Sequence, residues 1–156
     1  YPKTITLVNT AMWLAPRVMS HGSLTNNHLS FQIILFIMFS DQRIALYKQS
    51  LDEALRRYEE IVIFEDPASG KFVQFAVQAG DGEVIVDIPM EQLNETTYNW
   101  LLPHMEPMTD TQGNLISLQK TIKADHTQYA AEYTEWVFTK IYQLPENHDV
   151  TEQIFT

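Results

Sequence analysis

The sequence predicts an α+β fold in the order α-β-β-β-α-β-β-α, with one antiparallel sheet of about five strands and helices before, within and after it. Three observations carry the α+β reading. Apolar residues recur every three or four positions from Asp41 to Tyr58; three short alternating runs, each closed by turn chemistry, follow between Ile61 and Ile88; and helical spacing returns from Asp125 to Leu144.

In the first helix, Ile44, Leu46, Tyr47, Leu51, Ala54, Leu55 and Tyr58 form the apolar side, and Arg43, Lys48, Asp52, Glu53, Arg56 and Arg57 fill the other. Ser40 or Asp41 is its expected N-cap, because a side-chain oxygen there satisfies an orphaned backbone donor. Strands are expected over residues 61–65, 71–78 and 83–88. Asp66-Pro67-Ala68-Ser69-Gly70 and Ala79-Gly80-Asp81-Gly82 join them as an antiparallel meander, the Asp-Gly pair suiting the positive φ of a hairpin. Val73, Phe75 and Val77 alternate with Phe72, Gln74, Ala76 and Gln78, so one face is apolar and the other mixed.

Pro89 ends the third strand, and Asn94 caps a short helix from Glu95 to about Leu102, stopped by Pro103. A fourth strand covers residues 115–122, with Ile116, Leu118, Lys120 and Ile122 on one side, and a short partner is placed near 108–111. Asp125 is the expected cap of the last helix, whose stripe runs Tyr129, Tyr133, Trp136 and Val137, Ile141 and Leu144 until Pro145.

Composition bounds what such a domain does. With 156 residues, 45% of them hydrophobic and 19% charged, one domain forms a core without cross-links. The absence of cysteine excludes a disulfide framework, a thiol nucleophile and any thiolate zinc site. A formal charge of -10 opposes a polyphosphate backbone, so nucleic acid is not an expected partner.

Charge also divides the chain. Every Asp and Glu lies at Asp41 or later, whereas the first forty residues hold only Lys3 and Arg17 as charged side chains. Residues 1–40 are therefore read as an N-terminal extension, 41–145 as the α+β domain, and 146–156 as a tail that frays or docks loosely. The apolar runs 5–14 and 31–39 fall short of the roughly 20 residues of a membrane span. They lack the basic cluster, cleavage site or arginine content of targeting segments, so a signal or transit peptide is not expected. The extension is read as one or two strands, or a buried helix, against the domain or a neighbouring subunit; Met38 is an alternative start that leaves it peripheral.

No motif gives a catalytic, cofactor or metal site. His104 near Glu106, Asp125 beside His126 and His148 beside Asp149 are read as solvated neighbours, since adjacent side chains diverge. Ser69-Gly70-Lys71 fails as a phosphate loop because Glu65 and Phe72 stand where glycine and Ser or Thr are needed. Asn94-Glu95-Thr96 has the form of a glycosylation sequon but is read as a helix cap. Tyr129, Tyr133 and Trp136 are read as core. Phe72 falls on the mixed face of its strand, and Tyr98 and Trp100, two apart on a short helix, cannot share one core, so one of them is expected at a surface.

Lys71-Phe72-Val73-Gln74-Phe75, Val84-Ile85-Val86-Asp87-Ile88-Pro89, the stretch Leu101 to Pro107, and Val137-Phe138-Thr139-Lys140-Ile141-Tyr142-Gln143-Leu144-Pro145 together resemble the type III secretion chaperone-like fold, in particular the Tir-chaperone-like (TY-Chap) bacterial domains. The resemblance covers about two thirds of the chain and rests on order and spacing. It implies a bacterial cytoplasmic homodimer without cofactor, offering apolar sheet or helix surface to another protein. The extension departs from that fold, which does not require it.

The expected function is thus a non-catalytic, chaperone-like, protein-binding module, with Phe72, Gln74, Tyr98, Trp100 and Leu101 as its partner or dimer surface. Two other readings stand beside it. One is an enzyme or small-ligand sensor with His104 and His126 in a pocket between sheet and helices; the other is a structural subunit whose extension completes a neighbour's sheet.

Overall fold

The computed structural model describes residues 5–6 and 27–156, with side chains from Ser40 onward. The chain forms β1 (Ile5–Thr6), α1 (Asn27–Arg57), β2 (Ile61–Asp66), β3 (Lys71–Gln78), β4 (Glu83–Pro89), α2 (Glu95–Leu101), β5 (Glu106–Thr109), β6 (Leu115–Lys123), α3 (Thr127–Trp136) and β7 (Thr151–Phe155). Six strands and the two-residue β1 make one antiparallel sheet in the order β1-β7-β2-β3-β4-β6-β5. The expected α+β class with a single antiparallel sheet holds, and the sheet exceeds the expected five strands by β7 and β1.

The chain leaves β6 towards one margin and re-enters as β7 beside β2, so α3 must travel back across the sheet. It does so next to α1, and both helices lie on the same face. Alternation supplies the core: Val62 and Phe64, Val73 and Phe75, Val84, Val86 and Ile88, and Leu118 are all fully buried. Tyr47 of α1 closes on Phe64 at 4.7 Å between ring centroids and on Phe138 at 6.2 Å, and Phe64 meets Phe75 edge-on at 5.9 Å. Helix, sheet and returning helix are thereby joined through one aromatic chain.

Two boundaries differ from expectation, the start of the first helix and the C-terminal tail. α1 begins at Asn27 and passes through Ser40 and Asp41 without interruption, so neither residue caps it. The run 31–39 lies within that helix; of the run 5–14, residues 7–14 lie outside the described residues. α1 stops at Tyr58, which takes φ 55° while Glu59 N–H donates back to the Ala54 carbonyl, a closure usually made by glycine. Most consequentially, the stretch expected to fray is β7, paired with β2 from Thr151 to Phe155. Burial of His148, Val150 and Glu152 offsets its short length.

α3 also departs from a straight continuation. It ends at Trp136 and passes into a π-turn over Val137–Ile141, which buries Val137, Phe138 and Ile141. Asp125 is exposed and makes no cap; α3 is instead tied at its start by Thr127 Oγ1, which donates to Asp52 Oδ1 at 2.6 Å. On β6, Leu118 and Ile122 are buried as expected, but Ile116 is half exposed. That strand outruns β4, whose last pair is Pro89 with Ser117, and an irregularity against β5 falls at the same place.

Candidate functional site

The face of the sheet turned away from α1 and α3 is built by strand register. Across it runs the row Phe155, Ile61, Ala76, Ile85 and Thr121, each residue paired with the next. A neighbouring row reads Gln153, Ile63, Gln74, Asp87, Gln119 and Glu106. Glu65 pairs with Phe72 beyond it. Ile61, Ile63, Phe72, Ala76, Ile85 and Phe155 are all half-buried, and none belongs to the core or packs against it. Among the described residues no helix is packed on this face.

Polar side chains on it are tied to one another: Gln119 Nε2 donates to Asp87 Oδ1 at 2.9 Å and Gln153 Nε2 to Glu65 Oε2 at 3.1 Å. Amide donors paired with carboxylates flatten the surface and leave the isoleucines and Phe72 and Phe155 as its apolar content. Among the described residues, the carboxylates Glu65, Glu83, Asp87 and Glu106 outnumber the single ammonium of Lys123, which pairs in register with Glu83. One row of the face is mainly apolar, and the next is mainly polar with carboxylates among its amides.

The residues expected to form a partner surface are not all brought together. Phe72 and Gln74 stand on the open face. Trp100 is half exposed on α2, and Tyr98 packs against the core, which settles which of that pair reaches the surface. Leu101 is fully buried and belongs to no surface of this chain. α2 itself rests on the π-turn after α3. Asn94 Oδ1 accepts from Thr97 N–H at 2.9 Å and Thr97 Oγ1 accepts from Asn94 N–H at 2.9 Å, a reciprocal cap at the sequon position.

The expected histidine pocket is absent among the described residues. The space between helices and sheet is filled by Tyr47, Phe64, Phe75 and Phe138. His126 is exposed beside Asp125, and His104 is an exposed ring edge-on to Trp136 at 6.0 Å. Tyr129, expected in the core, is 45% exposed and lies with Tyr133 under the Lys120 ammonium, at 6.0 and 5.8 Å. An open groove of about 490 Å³ runs between α1 and α3, lined by Ile44, Lys48, Asp52, Gln128 and Glu132 among others. Two of its charged groups are paired, since Lys48 Nζ donates to Asp52 Oδ2 at 2.6 Å. Burial raises the Asp52 pKa, but hydrogen bonds from Lys48 and Thr127 outweigh it and leave the carboxyl below its ordinary value.

Sequence reasoning missed a buried polar cluster. Arg43, placed by periodicity on the solvent side of α1, is 8% exposed and forks onto Glu135, with Nη2 2.6 Å from Oε1 and Nε 3.0 Å from Oε2. Ser40 Oγ and Tyr47 Oη also donate to that carboxylate, at 3.3 and 3.4 Å. Arg43 Nη1 donates to the carbonyl of His148 at 3.4 Å, which brings the C-terminal segment into the cluster. Burial lowers the Arg43 pKa, and the hydrogen bonds and charge of Glu135 more than reverse this. The signal was an arginine four residues before Tyr47, on the stripe that Tyr47, Leu51 and Ala54 continue.

Among the described residues, no group of three or more His, Asp or Glu is placed to hold a metal ion, and no helix is long and apolar enough to cross a membrane. Compared with protein-family models, curated proteins and solved structures, the chain finds no match.

Proposed function

We propose that this chain is a non-catalytic, chaperone-like protein-binding module that holds a partner polypeptide on the open face of its sheet. One observation carries the reading: among the described residues two helices shield one side only, while Ile61, Ile63, Phe72, Ala76, Ile85 and Phe155 remain half-buried on the other. Grouped apolar side chains on a rigid sheet, interspersed with carboxylates, suit an amphipathic segment with basic residues. The order of elements supports the resemblance to type III secretion chaperone-like domains, and with it the expectation of a cytoplasmic bacterial homodimer that needs no cofactor. Trp100, exposed on α2, is the residue of the expected dimer surface that is free to meet a second copy.

The test is site-specific photocross-linking in the source cell, with a benzophenone side chain at Ile85 on the open face or at Gln128 on the helix side. The reading expects a discrete adduct from Ile85 that is missing from Gln128, and loss of that adduct on adding Ile63→Glu. Equal labelling from both positions, or none from Ile85, overturns it. An adduct of twice the chain mass identifies a second copy as the occupant.

A further inference from the structure

β7 reaches the sheet by way of residues 142–150, and His148 is the point at which that connection is fastened. Its ring lies 5.3 Å from that of Phe138, and the residue is 6% exposed. Nδ1 lies 2.9 Å from the Pro145 carbonyl, which can only accept, so the neutral ring carries its proton there. Nε2 is then a bare lone pair, and it is buried without a partner among the described residues. The backbone of the same residue is held too, its N–H by Pro145 O at 2.9 Å and its carbonyl by Arg43.

We propose that His148 is a proton-sensitive latch, and that its protonation releases β7 from β2. A proton on Nε2 places a new N–H, and a positive charge, at a buried atom that has no hydrogen-bond partner among the described residues. The charged groups around it hold other partners. Arg43 of α1 is itself cationic; Glu135 of α3 receives Arg43, Tyr47 and Ser40; Asp66 of β2 accepts on Oδ2 from the N–H and the hydroxyl of Ser69, at 2.8 and 2.5 Å. Burial depresses the His148 pKa most strongly; the Pro145 carbonyl, Glu135 and Asp66 pull it up, Arg43 pulls it down, and the balance lies below the ordinary value.

The sign follows from linkage. The released segment binds a proton near the ordinary histidine value of about 6.5, whereas the docked segment resists it. Docking is complete above that pH, and weakens by up to about tenfold per unit as pH falls towards the depressed value. Glu152, within β7 itself, works in the opposite sense, because its buried carboxyl is raised and gains from protonation when docked. Release in acid therefore requires that the histidine outweigh the glutamate. What release uncovers is the backbone edge of β2 from Ile61 to Glu65, which a strand of another polypeptide can occupy.

The test is amide hydrogen exchange on the full chain between pH 8 and pH 5, corrected for intrinsic rates. Protection of Thr151 to Phe155 should fall several-fold to tenfold per pH unit below about 6.5, while amides paired between β3 and β4 keep theirs. His148→Asn, whose amide still reaches the Pro145 carbonyl but does not titrate, should keep β7 protection level. A level profile in the unaltered chain, or a parallel fall in the variant, overturns the latch. Should β7 of the variant be unprotected even at pH 8, titration of the His148 ring protons decides instead: a value below the ordinary one supports the latch, and one at or above it overturns the latch.

Discussion

Arg43 and Glu135 lie 92 residues apart in the chain, yet each is the other's ion-pair partner in a place neither shares with bulk water. A fork of two parallel hydrogen bonds fixes the rotation of α1 about its axis relative to α3, which apolar side chains of similar size would leave loosely specified. Removing one member strands the other. Arg43→Met should cost roughly 3–5 kcal/mol in urea unfolding, and Arg43→Met with Glu135→Leu should recover most of that loss. A double variant as unstable as the single one would mean that the cluster acts through something other than the pair.

Phe64 touches both Tyr47 and Phe75 and is fully buried. Phe64→Ala should destabilise by about 3–5 kcal/mol, by lost transfer energy and by the cavity left between helix and sheet. Chemical denaturation with an unchanged slope checks this. The equivalent truncation of Trp100, half exposed on α2, should fall well under 2 kcal/mol.

Tyr58 ends α1 in the left-handed region and is 74% exposed, so its side chain contributes little packing against the strain of its backbone. Tyr58→Gly should stabilise by up to about 1 kcal/mol, the added freedom of glycine in the unfolded chain cancelling part of the relief. Thermal melting should rise by about 2–4 °C. A lower midpoint would show that the ring matters more than its exposure suggests.

Glu152 gives a stability that depends on pH. Burial, the largest influence, and the charges of Glu53 and Glu59 raise its carboxyl above the usual range, with the neighbouring Ser50 hydroxyl acting against them. A folded value above the unfolded one contributes stability that is complete below about 4.5 and is lost as pH rises through the folded value. Glu152→Gln should therefore stabilise the chain at pH 8 by more than it does at pH 4. Equal effects at both would place the ionised carboxylate in contact with water.

The reading from sequence succeeded where punctuation and alternation agreed. Lys71 to Gln78 was delimited by Gly70 before and Gly80 and Gly82 after, and the glycines at 70 and 82 do take positive φ. It failed where polarity was taken as exposure. Arg43 and Glu135 occupy buried positions because they satisfy each other, and His148 is buried with its carbonyl on Arg43 and Nδ1 on the Pro145 carbonyl; a pairing across 92 residues leaves no local trace. β7 was invisible for a related reason: Thr151, Gln153 and Phe155 alternate with Glu152 and Ile154, but a carboxylate on the inner side disguised the pattern. On α3 the volume of Tyr129 was mistaken for burial. The fully buried positions are Ala130, Ala131 and Thr134, small residues where α3 packs beside α1. Of the residues expected at a partner surface, Phe72 and Gln74 are half-buried and Trp100 is exposed, whereas Leu101 is buried, because adjacent helical residues point to different sides.

β5 has four exposed residues, a step in its pairing between Met108 and Thr109, and a proline at position 107 that lacks a backbone donor. A newcomer aligning along that margin would meet an interrupted ladder, so lateral stacking of copies into fibrils is discouraged on this side.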